Sequence, residues 1–201
     1  MTRWYSEKKR EHYYKEAKRL GYRARSAFKL LQIQKKFHVI KKNDIVIDLG
    51  AAPGSWSQVA REITGEHGIV IGVDISPVKP INGVIFLQGD MTKDETIEKI
   101  RNHLGDRKAD VVISDMSPDI SGSYSVDHAR SIYLCEQALK TVDLLLRNNG
   151  NFVCKVFSGE YLDSFIQKVN DRFRVVKQFV PRASRKSSSE VYVIGKYFKK
   201  N

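Results

Sequence analysis

Past residue 43 the chain repeats one alternation: a short run rich in Val and Ile, then a longer stretch of helical periodicity. Residues 44–49, 69–75, 84–88, 110–114 and 151–157 are the apolar runs. Residues 56–63, 95–104, 129–147 and 161–169 have the helical spacing. Strands apolar throughout, rather than alternating, are buried on both faces, which is the condition of a parallel sheet. Their alternation with helices implies an open α/β sheet covered on both sides. In the 129–147 stretch Ile132, Leu139, Val142 and Leu146 share a face, and Gly150 reads as a stop signal. The end of the chain differs. Residues 174–180 and 191–198 are strand-like with no helix between them, so they predict a hairpin-type pair joined by the loop from Pro181 to Ser189. The expected fold class is α/β: a mostly parallel seven-stranded sheet, one antiparallel strand near the C-terminus, and helices on both faces.

The segment before residue 43 reads as helical. Ala27, Leu30, Leu31 and Gln34 fall on one face of a helix from about Arg25, and residues 7–19 form a second, very polar one. The chain of 201 residues suits one domain, with residues 1–42 as a basic helical extension packed on an α/β core of residues 43–201.

Directly after the first strand stands Asp48-Leu-Gly-Ala-Ala-Pro-Gly-Ser-Trp-Ser57. Gly50 and Gly54 let the backbone turn sharply and approach a ligand, at the carboxyl end of a strand where α/β sheets bind ligands. The run is not GxGxxG, and it lacks the Gly-Lys-Ser/Thr of a phosphate loop, so dinucleotide and nucleoside-triphosphate readings fall away. What remains is a nucleoside-type ligand without a pyrophosphate. Asp74 ends the second strand, where a carboxylate can take both ribose hydroxyls. Asp90 follows the third, where it can accept from an adenine amino group. With Asp48 and Asp115, four successive strand ends carry an acid. Such a site suits a cationic cofactor, and S-adenosylmethionine carries both a sulfonium and an ammonium.

Charge points to the partner. The net charge is +12, but residues 1–42 balance at +11, residues 43–171 at −7 and residues 172–201 at +8. Basic ends around an acidic middle predict a polyanion. Candidate phosphate contacts are Arg3, Lys8, Lys9, Arg10, Lys15, Lys18, Arg19, Arg23 and Arg25 in front, and Arg182, Arg185 and Lys186 behind. Trp4, Tyr5, Tyr13, Tyr14 and Tyr22 are interleaved and could stack on unpaired bases. A membrane surface is the weaker reading, because the polar helix lacks a strong apolar face. The N-terminus has no secretory h-region, and Cys135 and Cys154 sit in apolar stretches as reduced thiols, so a cytoplasmic location is expected. The five histidines are scattered without ligand spacing, so no metal site is expected.

Residues 48–57, Ser114-Asp-Met-Ser-Pro-Asp-Ile-Ser-Gly122, Cys154-Lys-Val-Phe157, residues 184–192 and Arg23-Ala-Arg-Ser-Ala-Phe-Lys-Leu30 together resemble the RrmJ/FtsJ family of RNA ribose 2′-O-methyltransferases. The likeness runs from about residue 21 to 198 with all blocks in order. Ser117 and Asp119 stand where many members have Ala and Asn. The resemblance implies a Rossmann-like S-adenosylmethionine-dependent methyltransferase fold. It implies a catalytic tetrad of Lys29, Asp115, Lys155 and Glu190, and a cofactor site of Asp48, Gly50, Pro53, Gly54, Trp56, Asp74, Asp90 and Asp115. It further implies a uridine in large-subunit (23S-type) ribosomal RNA as target, with RNA or a ribosomal particle as partner; the sequence does not set the oligomeric state, and a monomer is favoured. Transfer RNA is the alternative substrate, and a non-catalytic RNA-binding module the alternative of another class. The residues themselves support the location of the tetrad. Lys155 interrupts an apolar strand, where lysine is rarely buried, and Glu190 is the only acid after Asp171. Lys155 could act as proton acceptor or as a charged group that orients the hydroxyl, and the sequence leaves both open.

Overall fold

The computed structural model describes residues 12–185 and 188–199. Its elements are α1 (residues 12–19), α2 (Ala27–Phe37), β1 (Ile45–Leu49), α3 (Ser55–Thr64), β2 (Ile69–Asp74), β3 (Val84–Gln88), α4 (Asp94–Leu104), β4 (Ala109–Ser114), α5 (Tyr124–Leu145), β5 (Leu146–Phe157), α6 (Leu162–Arg172), β6 (Phe173–Phe179) and β7 (Glu190–Phe198). The strands form one sheet in the order β3-β2-β1-β4-β5-β7-β6. All neighbours are parallel except β7, which runs antiparallel to both β5 and β6. The predicted terminal pair is therefore present, and its second strand is inserted between β5 and β6 rather than added at the edge.

Alternation along β1 shows why both faces are apolar. Val46 faces a core made with Ala27, Leu30 and Ile33 of α2 and Trp56, Val59 and Ala60 of α3. Ile47 and Leu49 face the opposite core, built with α4, α5 and α6. Strands so placed have no face to give to water, hence the unbroken Val/Ile runs. The chain leaves the centre through β1, β2 and β3, then returns to β4 on the other side of β1. That reversal opens a crevice above the carboxyl ends of β1 and β4, the usual ligand position of such sheets.

Three local expectations change. The buried positions of α2 are Ala27, Lys29, Leu30 and Ile33 rather than a face through Leu31 and Gln34. Gln34 instead brackets Ile40, its Nε2 donating to Ile40 O (2.7 Å) and its Oε1 accepting from Ile40 N (3.0 Å). Helix α5 begins at Tyr124, five residues before the expected start, because the Asp127 carboxylate accepts from Ser121 N, Ser121 Oγ and Gly122 N and closes the preceding turn. Gly150 does not stop the helix. Leu146 already pairs with Ala109 in the sheet, and Gly150 lies within β5. Of the polar helix expected over residues 7–19, residues 12–19 are helical and residues 7–11 lie outside the described residues.

Candidate active site

A cleft of about 300 Å³ opens at the crevice, within the size range of small-molecule sites. Its walls include Gly50, Asp74, Asp90, Met91, Asp115 and Met116, and among the described residues no lysine or arginine lines it. The turn after β1 is held close. Gly50 has φ +75°, and a Cβ there would lie 2.8–3.0 Å from Met116, so only glycine fits. Asp74 fixes the same turn, its Oδ2 accepting from Ala52 N (2.9 Å) and its Oδ1 from Ser76 N (2.8 Å). The Asp90 carboxylate accepts from Thr92 N (2.9 Å), and this bond holds it below its ordinary range. A tight glycine turn and a wall with three carboxylates but no lysine or arginine fit S-adenosylmethionine: a nucleoside with positive charge and no phosphate.

Asp48, Pro53, Gly54 and Trp56, also expected at the cofactor, lie outside the cleft wall. Asp48 is fully buried beneath the turn, with Ser57 Oγ donating to its Oδ2 (2.6 Å) and its Oδ1 lacking a partner. Burial pushes its carboxyl up to about 7, against the Ser57 hydroxyl and with help from Asp115 and Asp74. Trp56 Nε1 donates to Ser26 O (2.9 Å), and its ring lies 5.7 Å from Tyr192. Gly54, at φ +107°, faces Arg23, whose guanidinium donates to the carbonyls of Pro53, Lys79 and Pro80.

Beside the cleft, four separate stretches of chain bring the predicted tetrad together as two ion pairs, buried but for Asp115, which is partly open to the cleft. Lys155 Nζ donates to Asp115 O (2.7 Å) and lies 3.2 Å from Asp115 Oδ1. Lys29 Nζ lies 2.6 Å from Glu190 Oε1. The sheet register explains the meeting. Lys155 is opposite Tyr192, and Phe157 is opposite Glu190. Cross-strand partners share a face, as do residues two apart, so Lys155, Tyr192 and Glu190 all project toward α2, which carries Lys29. Tyr192, invisible as a site residue in the sequence, joins the pairs: its hydroxyl donates to Asp115 Oδ1 (2.7 Å), and Lys29 Nζ sits 5.8 Å from its ring centre. Burial first, and then the Asp115 and Glu190 charges, push the Tyr192 phenol well above its usual range, so it stays a donor. Burial alone would raise the Glu190 carboxyl. The Lys29 ammonium, with Ser184 and Lys155, outweighs it and holds Glu190 low and ionised.

The family model for FtsJ-like methyltransferases matches residues 22–198. The chain belongs to this family. Among curated FtsJ-like relatives, Ribosomal RNA large subunit methyltransferase E of Methanothrix thermoacetophila is 52% identical over 187 residues, covering 93% of this chain and 72% of its own. The protein of the same name from Methanocaldococcus jannaschii is 50% identical over 200 residues, covering 98% and 82%. A Plasmodium falciparum structure described as a ribosomal RNA methyltransferase superposes with a TM-score of 0.82 at 28% identity, over 90% of this chain and all of that one. Aeropyrum pernix fibrillarin, solved with natively bound S-adenosyl-L-methionine, shares the fold at a TM-score of 0.61 and 15% identity, over 87% and 75%. Like its FtsJ-like relatives, the chain is an S-adenosylmethionine-dependent methyltransferase.

The expected polyanion contacts divide. Arg19 pairs with Glu16 on the surface. Arg23, half-buried, has its guanidinium engaged by the carbonyls of the cofactor turn and of residues 79–80. Tyr13 packs on Phe28 with its hydroxyl accepting from Gln32, and the Tyr22 hydroxyl donates to Glu62 (2.6 Å). Tyr14 is exposed, as are Arg182 and Arg185. Arg3, Trp4, Tyr5, Lys8, Lys9, Arg10 and Lys186 lie outside the described residues.

Proposed function

We propose that this chain transfers a methyl group from S-adenosylmethionine to the ribose 2′-hydroxyl of a uridine in large-subunit ribosomal RNA, free or within a ribosomal particle. The observation that carries the reading is the pairing of Lys29 with Glu190 and Lys155 with Asp115 beside an acidic cleft that shares Asp115. The names of relatives at 52% and 50% identity supply the RNA.

The bound cofactor supplies an electrophilic methyl on a sulfonium. Asp74 and Asp90 are the groups for its ribose hydroxyls and adenine amine, and Asp115 faces both cleft and tetrad. In-line alignment of hydroxyl, methyl and sulfur contributes about 7–11 kcal/mol in well-oriented reactions. The network suits such alignment, because Tyr192 fixes Asp115, Asp115 holds Lys155 through its carbonyl and carboxylate, and Glu190 fixes Lys29. Lys155 either takes the hydroxyl proton as a neutral amine or, as an ammonium, orients the oxygen while the proton leaves to water. Asp48, Trp56 and Arg23 act one step back, holding the turn and the floor of the site.

Residues 1–201 read as one methyltransferase domain, with 1–42 as a basic extension whose described part packs on the 43–201 core through Ala27, Leu30 and Ile33 and the Tyr22–Glu62 hydrogen bond. A cytoplasmic location accords with two buried free thiols; among the described residues no helix is long and apolar enough to cross a membrane. The test is to map 2′-O-methyl sites in total RNA with and without the protein. Loss of one uridine mark in large-subunit ribosomal RNA is expected. Loss confined to transfer RNA would replace the substrate, and no loss would leave an RNA-binding module.

A further inference from the structure

Near the tetrad the structure carries an aromatic row that methyl transfer does not use. The His128 ring lies near-parallel to two tyrosines: Tyr161 at 5.6 Å and 2°, and Tyr124 at 6.3 Å and 12°. His128 is buried, yet Tyr124 is 63% and Tyr161 47% exposed. Tyr133 and Tyr197 are about as exposed as Tyr161, so what sets Tyr124 and Tyr161 apart is their near-parallel arrangement on one buried ring.

The row is held in place. The Tyr124 hydroxyl donates to Ser158 O (2.6 Å), and His128 Nε2 accepts from Tyr161 N (3.0 Å). Gly159 makes room for it, since a Cβ there would lie 2.7 Å from the His128 ring. It is also tied to the catalytic side of the sheet. Ser158 N donates to Ser189 O (2.7 Å), immediately before Glu190. Rings already ordered lose little conformational freedom when a flat ligand settles on them.

We infer that Tyr124 and Tyr161, braced by His128, form a stacking subsite for an unpaired nucleobase of the RNA beside the methylated nucleotide. The inference rests on the RNA substrate proposed above. Charge selects a base rather than a phosphate. No lysine or arginine occurs from Met116 to His128 or from Phe157 to Asp163, while Asp119, Asp127, Glu160 and Asp163 do. Arg130, just beyond, donates to Asp119 O (3.3 Å), so these segments offer a phosphate little, whereas a neutral base gains from aromatic stacking. An unpaired strand at the cleft leaves the bases beside the target nucleotide free to stack on such a surface. The basic ends would supply phosphate contacts, and this rim would place the strand between them.

The test measures affinity of the full chain for a short single-stranded oligoribonucleotide at several salt concentrations, with S-adenosylmethionine affinity and thermal unfolding in parallel. Tyr124→Ala and Tyr161→Ala should each weaken RNA binding about 5- to 150-fold, the range for losing one base–aromatic stack. The salt slope should stay unchanged, because no phosphate contact is lost. Tyr124→Phe and Tyr161→Phe should retain most of the affinity. Unaltered RNA affinity in both alanine variants would overturn the subsite while leaving the methyltransferase reading intact. A changed salt slope, or a matching loss of S-adenosylmethionine affinity or stability, would also overturn it by showing a phosphate contact or a structural role. Failure of the unaltered chain to bind and methylate RNA would overturn both readings.

Discussion

Among single residues, two buried charges make opposite demands. Lys155 is only 7% exposed in a strand of Val and Phe, yet Asp115 gives it both a carbonyl and a carboxylate. Arginine cannot deprotonate. Substantial transfer by Lys155→Arg would therefore exclude the proton-acceptor role, and its inactivity is the result expected if Lys155 is the base. Asp48 has the reverse problem, a carboxyl in a dry site with an orphaned oxygen. Its pKa rises from an ordinary 3.8 to about 7, so between those values the folded state holds a proton that the unfolded state releases. Its stabilising contribution is present below about pH 4 and is lost as pH rises toward 7. Asp48→Asn should flatten that slope and gain stability at pH 8, by up to a few kcal/mol. Parallel unfolding curves for the two proteins across pH 4–8 would contradict this. Lys155 was legible in the sequence because lysine is out of place in an apolar strand. Tyr192 was not, because a tyrosine in a strand looks like core; only the register with Lys155 shows where its hydroxyl goes.

Among the elements, strands and their terminal acids were legible and side-chain partners were not. Val/Ile runs mark strands buried on both faces, and those strands fix where Asp74, Asp90 and Asp115 stand. Helix α5 began early because one carboxylate, Asp127, caps a turn through three donors that carry no hydrophobic pattern. Arg23 and Tyr22 looked like RNA contacts from composition alone. Their partners, Glu62 on α3 and the 79–80 carbonyls between β2 and β3, are distant in sequence and meet them only in the folded chain. The β1–α3 turn is the most exacting element. Gly50→Ala combines a positive φ with a Cβ pressed against Met116, so it should destabilise the fold by about 1–3 kcal/mol and weaken S-adenosylmethionine binding. Calorimetry showing unchanged cofactor affinity would mean that the turn is not part of the cofactor site.

Across the molecule as a whole, charge is divided between two ligands. The acidic middle forms the cleft for a cation, and the basic ends each contribute one tetrad residue, Lys29 and Glu190. Residues 1–11 carry four basic side chains. Removing them should lower the salt slope of RNA binding by up to about 3, at ~0.7 per phosphate contact on a single strand. Cofactor affinity should not change, and an unaltered slope would show that these residues do not meet RNA. Above all, the Lys29–Glu190 and Lys155–Asp115 pairs are proposed to perform methyl transfer to RNA. The decisive experiment is transfer of labelled methyl from S-adenosylmethionine to large-subunit ribosomal RNA by the unaltered chain and by Lys155→Ala, with cofactor binding measured on both. Transfer by the first, none by the second, and near-equal cofactor affinity are expected. Normal transfer by Lys155→Ala, or lost transfer that returns at high cofactor concentration, would contradict the catalytic role of the pairs.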